Sequence, residues 1–179
     1  MDVSKNTALT ELYCGANPLT TLDVSGCATL AFLNCGENRL TSLDVSKNTA
    51  LTILNCSENQ LTVLDVSKNT ALKELYCENS LYDSHKLTAL NVSNNTALTT
   101  LNCYRNQLTA LDVSTSTALK NVDCSFNQLT DTALNNFFGT LHSHTVLPGN
   151  LIDITGNPGL DTTCDISIAE NKGWTVYYW

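Results

Sequence analysis

Leucines recur along this chain in a fixed frame, with polar residues in the places between them. Three apolar columns line up: Leu9, Leu30, Leu51, Leu72, Leu98 and Leu119; Leu12, Leu33, Leu54, Leu75, Leu101 and Val122; and Leu22, Leu43, Leu64, Leu90 and Leu111. Within a unit the apolar residues alternate with period two over Leu54 to Cys56 and again over Leu64 to Val66. That alternation is the mark of an extended, half-buried segment, so each unit predicts two short extended stretches and no helical stripe. Six cysteines, Cys14, Cys35, Cys56, Cys77, Cys103 and Cys124, keep the same frame at separations of 21, 21, 21, 26 and 21 residues. A fixed period of this size signals an internal repeat. One unit buries about six apolar side chains worth ~1.5 to 3 kcal/mol each, while ordering its backbone costs ~1 to 2 kcal/mol per residue. A lone unit therefore cannot fold, and stacked units that bury each other's faces can. The expected architecture is a solenoid whose short turns leave room only for extended or 3-10 backbone on the convex side.

Two polar features repeat with the leucines. Asn17, Asn38, Asn59, Asn106, Asn127 and Asn157 stand where the chain turns inward. There a buried carboxamide can serve backbone groups that would otherwise lack partners, so the column reads as structural rather than ligand-binding. The cysteines form a single file, one per coil. Metal binding needs ligands about 2.3 Å from one ion, whereas neighbouring strands lie ~4.8 Å apart, and that spacing is also too wide for a disulfide's Cβ pair. The thiols are expected to be free, buried and poor nucleophiles. Cys27 replaces the asparagine seen at Asn6, Asn48 and Asn69, and Cys164 lies in the tail; neither has an evident partner in the sequence.

The register breaks twice. Ten residues separate Cys77 from Leu87 where five separate Cys56 from Leu61, so five residues are inserted within 78–86. The insert is expected to bulge as a loop, with Tyr82, Asp83 and His85 either forming a binding projection or being a tolerated insertion. From Thr130 the pattern becomes helical, with Ala133, Leu134, Phe137, Phe138 and Leu141 on one face, Thr130 or Asp131 as N-cap and Gly139 following. After a loop holding His142, His144 and Pro148, residues Ile152, Ile154 and Asn157 resume the frame as a seventh coil. A short helix around Asp165 to Lys172 then leads to a strand over Trp174 to Trp179, whose Trp174, Val176 and Tyr178 can close the open end. The chain thus reads as a single domain, 1–179, with regular repeats over 1–128, an insertion at 78–86, and an irregular repeat plus C-terminal cap over 129–179. Met1 to Ala8 copies Leu43 to Ala50 with Met for Leu, so the repeat starts in mid-unit and the sequence is expected to be part of a longer protein.

The core L-x-x-L-x-C-x-x-N-x-L, as in Leu51, Leu54, Cys56, Asn59 and Leu61, resembles the bacterial leucine-rich repeat family. It is most similar to internalin-type surface proteins with 21-residue cysteine-ladder repeats, over about residues 1–127. The resemblance implies an α/β fold: a right-handed solenoid with a curved parallel β-sheet, a mostly extended or 3-10 convex side, and helices only near the C-terminal cap. It also implies binding of a protein or a glycan on the concave side, and a secreted or bacterial cell-surface location.

Composition narrows the function. Nine Lys plus Arg against 17 Asp plus Glu give a net charge of −8, without the clustered basic residues that phosphate backbones require, so nucleic acid is not an expected partner. No apolar run approaches the ~18 residues of a membrane span. The only imidazoles are His85, His142 and His144; none has a recognisable nucleophile context, and no phosphate-binding glycine loop appears. Glu11 and Glu74 lie three coils apart, roughly 14 Å, beyond the ~5 to 9.5 Å of a glycosidase pair. No enzyme, metal or cofactor is expected, and the chain is expected to be a monomer.

Function is expected from the residues between the inward columns. These are Tyr13, Asn34, Asn55, Tyr76, Asn102 and Asp123 at the centre, flanked by Glu11, Phe32, Ile53, Glu74, Thr100 and Asn121. Gly15, Gly36, Ser57, Glu78, Tyr104 and Ser125 stand on the far edge. Tyr13, Phe32, Asn34, Ile53, Asn55, Glu74, Tyr76, Asn102, Tyr104 and Phe126 are the candidate ligand-binding residues, mixing rings, amides and carboxylates as binding surfaces do. Two other readings stand beside a recognition module: a spacer whose rings only stabilise the sheet, and a carbohydrate-binding appendage of an enzyme using Trp179 or Tyr177.

Overall fold

In the computed structural model, residues 1–81, 84–144, 149–161 and 163–178 are described. Tyr82, Asp83, Pro148 and Trp179, singled out above, lie outside them. Six three-residue strands come first: β1 Glu11–Tyr13, β2 Phe32–Asn34, β3 Ile53–Asn55, β4 Glu74–Tyr76, β5 Thr100–Asn102 and β6 Asn121–Asp123. Helix α1 (Asp131–Thr140), β7 (Leu151–Asp153), a 3-10 turn (Pro158–Asp161), helix α2 (Ser167–Glu170) and β8 (Thr175–Tyr177) follow. Among the described residues the strands form one parallel sheet in chain order, β1 to β8, as a solenoid requires.

The register matches the frame read from the sequence. Leu12, Leu33, Leu54, Leu75, Leu101, Val122, Ile152 and Val176 are successive partners, all pointing inward and buried. Each ladder cysteine is buried beside them, and its N–H donates to the residue before the corresponding position of the next coil, for example Cys35 N to Asn55 O at 2.8 Å. All eight cysteines are free. Burial lifts the thiols, Cys56 to about 12, so a ladder thiol carries almost no thiolate at neutral pH.

The Asn column is a hydrogen-bond ladder. Asn59 Nδ2 donates to Cys35 O of the previous coil at 2.9 Å and to Cys56 O of its own at 3.2 Å, while its Oδ1 accepts from Leu40 N–H at 2.9 Å. Asn38, Asn106, Asn127 and Asn157 repeat the pattern, with Asn157 extending it into the seventh coil. A second ladder runs along the convex side. Asn48, Asn69 and Asn95 are fully buried, and each donates to two carbonyls of the preceding coil. Cys27 belongs to this ladder: its Sγ donates to Val3 O at 3.3 Å and Asn6 O at 3.5 Å, so it has partners that its spacing did not reveal.

The second extended segment of each unit is not a strand. Among the described residues, only Asp2 and Asp23 form an isolated parallel bridge there. In most coils an aspartate side chain, not a neighbouring coil, takes the next N–H: Asp65 Oδ1 accepts from Ser67 N–H at 2.8 Å. Val66 O then closes a turn with Asn69 N–H and accepts from Asn95 Nδ2. With its polar groups served this way, the segment gains nothing from ladder pairing.

The two helices and the final strand of the C-terminal region appear where the pattern placed them, with shifted bounds. Thr130 is the N-cap, its hydroxyl accepting from Ala133 N–H, while Gly139 lies inside the last turn of α1 rather than after it. Lys172 Nζ donates to Phe138 O, Gly139 O and Leu141 O at 2.7 to 3.0 Å and serves the otherwise orphaned carbonyls. Trp174 and Val176 are buried and close the end of the core. Both histidines of this loop have partners: His142 Nε2 contacts Ser114 O at 2.7 Å, and His144 packs edge-on against Trp174 at 5.1 Å.

Candidate functional site

Strand alternation decides which side chains are available. With Leu and Cys pointing inward, the residues on either side of the central leucine project from the sheet. Tyr13 is 67% exposed and Phe126 42%, while Phe32, Asn34, Ile53, Asn55, Glu74, Tyr76, Asn102 and Tyr104 are half-buried by neighbours on the same surface. The seventh and eighth strands widen this face with Leu151, Asp153 and Tyr177, which the irregular spacing of the tail concealed.

The central column is preorganised. Asn34 Oδ1 accepts from Gly36 N–H, Asn55 Oδ1 from Ser57 N–H, and Asn102 Oδ1 from Tyr104 N–H, at 3.0 to 3.1 Å. Asp123 and Asp153 do the same for Ser125 and Thr155. Fixing the oxygen leaves each asparagine Nδ2 without a partner among the described residues, three donors on a rigid frame. Burial raises the Asp123 carboxyl, against its Ser125 bonds, and Asp153 beside it adds to the rise. Glu11 and Glu74 accept from the hydroxyls of Tyr13 and Tyr76, and burial, then Glu74, lifts the Tyr76 phenol to about 12.

Four of the rings pair in two clusters on the face. Tyr13 stacks on Phe32 at 4.5 Å, and Tyr104 meets Phe126 edge-on at 5.6 Å. The Arg105 guanidinium lies 4.8 Å from the Tyr104 ring centre and 4.7 Å from that of Phe126, with Nε donating to the Tyr104 hydroxyl. Beside the first cluster is a depression of about 300 Å³ bordered by Tyr13, Asn34, Glu37 and Asn55. It exists because Gly15 and Gly36 lack a Cβ, which at Gly36 would sit 2.9 Å from Asn55 Oδ1.

Part of the far edge departs from the sequence reading. Ser57 and Ser125 are buried, their hydroxyls bonded to Asn55 and Asp123, so they support the column instead of meeting a partner. The residues after them turn outward in the left-handed region: Ala16, Glu37, Glu58, Arg105 and Phe126 have φ between 47° and 55°. Backbone of this kind in non-glycine residues costs of order 1 to 3 kcal/mol and persists only where the surroundings impose it. Here the ladder below imposes it, and the outcome is a row of side chains, exposed at Ala16, Glu37, Glu58 and Phe126 and half-buried at Arg105. Among the described residues, no group of three or more His, Cys, Asp or Glu could hold a metal ion. No helix among the described residues is long and apolar enough to cross a membrane.

Solved structures share this architecture. The functional domain of InlJ from Listeria monocytogenes, described as including a cysteine ladder, is 39% identical with a TM-score of 0.76, over 98% of this chain and 40% of that one. A leucine-rich repeat protein of Leptospira interrogans (21% identity, TM-score 0.59) matches 87% of this chain and 45% of its own. An internalin, InlF, of Listeria monocytogenes (19%, 0.60) matches 95% of this chain and 56% of its own, and these two show the fold alone. The chain thus spans roughly half the length, or less, of each of these proteins. No protein-family model and no curated protein matches the sequence. Repeat period, thiol file and parallel sheet agree with these likenesses: the chain is a leucine-rich repeat protein of the internalin-like, cysteine-ladder type.

Proposed function

We propose that the chain is a noncatalytic recognition module that binds a protein or glycan along the exposed face of its parallel sheet, as part of a bacterial surface or secreted protein. The observation that carries this reading is the contrast between columns. Inward positions repeat almost unchanged, while the outward positions of the same strands hold different rings, amides and carboxylates on a frame fixed by hydrogen bonds. Preorganised donors and anchored rings bind with little ordering cost, which is what separates an adhesive surface from an inert one. The internalin likeness supports the surface location.

A spacer is the competing reading, and the ring pairs favour it, because Tyr13 with Phe32 and Tyr104 with Phe126 satisfy one another. Replacing Phe32, Tyr76 and Tyr104 together by alanine separates the two. The wild-type chain is expected to retain a defined ligand from surface extracts or on a glycan array, and the triple variant to lose it while keeping its circular dichroism spectrum. Equal behaviour of the two proteins would leave the spacer.

A further inference from the structure

The amide ladder has one rung out of place. At five junctions a leucine N–H donates to an asparagine Oδ1 of the next coil at 2.9 to 3.1 Å: Leu19 to Asn38, Leu40 to Asn59, Leu87 to Asn106, Leu108 to Asn127 and Leu129 to Asn157. At the sixth the leucine is Leu61, and the position three past Cys77 is Ser80. Leu61 N–H makes no hydrogen bond to any described residue. Cys56 O, which would take a second bond from the missing amide, accepts only from Asn59.

The insertion covers this junction without repairing it. Asn79 is 5% exposed, and its backbone is not left-handed like that of Glu58 or Arg105 at the same place in their coils. Its Nδ2 donates to His85 O at 2.7 Å inside the insertion, and Lys86 Nζ donates to Ser80 O at 2.6 Å. The Oδ1 of Asn79 and the Oε2 of Glu78 are both buried and accept nothing. A cavity of about 10 Å³ at this junction is bordered by Cys56, Asn59, Leu61, Cys77, Glu78, Asn79 and Leu87.

We infer that this cavity is a binding site for a single water molecule, which accepts from Leu61 N–H and donates to Asn79 Oδ1 and Glu78 Oε2, standing in for the missing amide rung. The volume matches the roughly 10 to 15 Å³ that one water needs, and buried waters make about three hydrogen bonds. The set of groups selects water over an ion. One N–H facing several acceptors calls for a ligand that both accepts and donates. A metal cation or an ammonium ion has no lone pair for the Leu61 N–H, and calcium would need about six to eight oxygens at 2.3 to 2.6 Å. Water in this position lets the solenoid take five extra residues without leaving the junction's polar groups unserved. The inference stands apart from the proposed recognition function.

Nuclear Overhauser spectroscopy of the intact chain tests it with internal controls. The Leu61 amide proton is expected to show a cross-peak to a long-lived water, and those of Leu40 and Leu108, which are bonded to asparagine, to show none. Glu78→Gln is expected to keep the cross-peak, because an exchanging carboxyl proton is not its source. A crystal of the chain is expected to show one peak roughly 2.7 to 3.2 Å from Leu61 N, Asn79 Oδ1 and Glu78 Oε2. Loss of the cross-peak in Glu78→Gln, no cross-peak at Leu61, no density in the crystal, or density with ligand distances of about 2.3 to 2.6 Å would each overturn the inference.

Discussion

The third and fourth coils have the same core and different turns. Leu54 and Leu75, Cys56 and Cys77 are buried alike and pair through one ladder. After the cysteine they part: Glu58 enters the left-handed region and Asn59 serves four backbone groups, whereas Asn79 stays out of that region, its amide serves only His85 O among backbone groups, and the insertion begins. The difference shows that strand and turn are held by separate interactions. Apolar side chains fix the strand, so β4 keeps its place in the sheet although a five-residue insertion follows it within 78–86. A carboxamide ties the turn to its neighbours, and in the fourth coil, where Ser80 stands three past Cys77, the turn departs from the frame.

Substitutions that treat the two coils unequally sharpen this comparison. The largest effect is expected where they agree: Leu54→Ala and Leu75→Ala, both fully buried, should each cost about 2 to 5 kcal/mol in urea unfolding. A marked inequality between them would mean that the insertion has loosened the strand as well as the turn. Next, Asn59→Ala orphans Leu40 N–H and carbonyls of two coils, each buried group costing about 1 to 3 kcal/mol. Asn79→Ala loses chiefly its bond to His85 O and is expected to cost about 1 kcal/mol, by the same measurement.

Smaller effects test the backbone and the carboxyl. Glu58→Gly relieves a left-handed residue and is expected to gain about 0.5 to 1 kcal/mol, while Asn79→Gly, with no such strain, should lose about as much beyond the cost of Asn79→Ala. Glu78→Gln probes charge. Burial holds the Glu78 carboxyl above its usual range, so the native state binds its proton more tightly than the unfolded state does. Its ionisation therefore opposes folding as pH rises from the unfolded value through the folded one. The variant is expected to be slightly more stable than wild type at pH 7 and indistinguishable below about pH 4, where both forms are neutral. The exposed aspartates of the convex turns run the other way. Bonds from Ser46 and Ser67 hold Asp44 and Asp65 below the usual range, so their contribution is present above the unfolded value and is lost as pH falls through the folded one.

Much of the fold was legible because a solenoid repeats its physics. Each inward position meets its own copy in the next coil, so uniform columns such as Leu12 to Val122 announce both strand direction and register. The outward candidates were legible by the same subtraction. What the sequence concealed is instructive in detail. The Leu64 to Val66 alternation looked like a second strand because it is half-buried, yet Asp65 takes the N–H that a ladder would have used. Ser57 and Ser125 looked like surface because serine is usually exposed, yet their hydroxyls close the turn onto Asn55 and Asp123. Cys27 looked unpartnered because a thiol is seldom read as a donor that can stand in an asparagine ladder.

By itself the sequence determined which side chains share the dry interior, because apolar burial depends on period and size, both of which are visible in one dimension. Only the tertiary structure decided where each polar group finds its partner: Asn59 on Leu40, and Lys172 on the end of α1. Hydrogen bonds are directional and short, so they depend on ångström-scale placement of residues about twenty or more positions apart, which a repeat pattern constrains but does not specify.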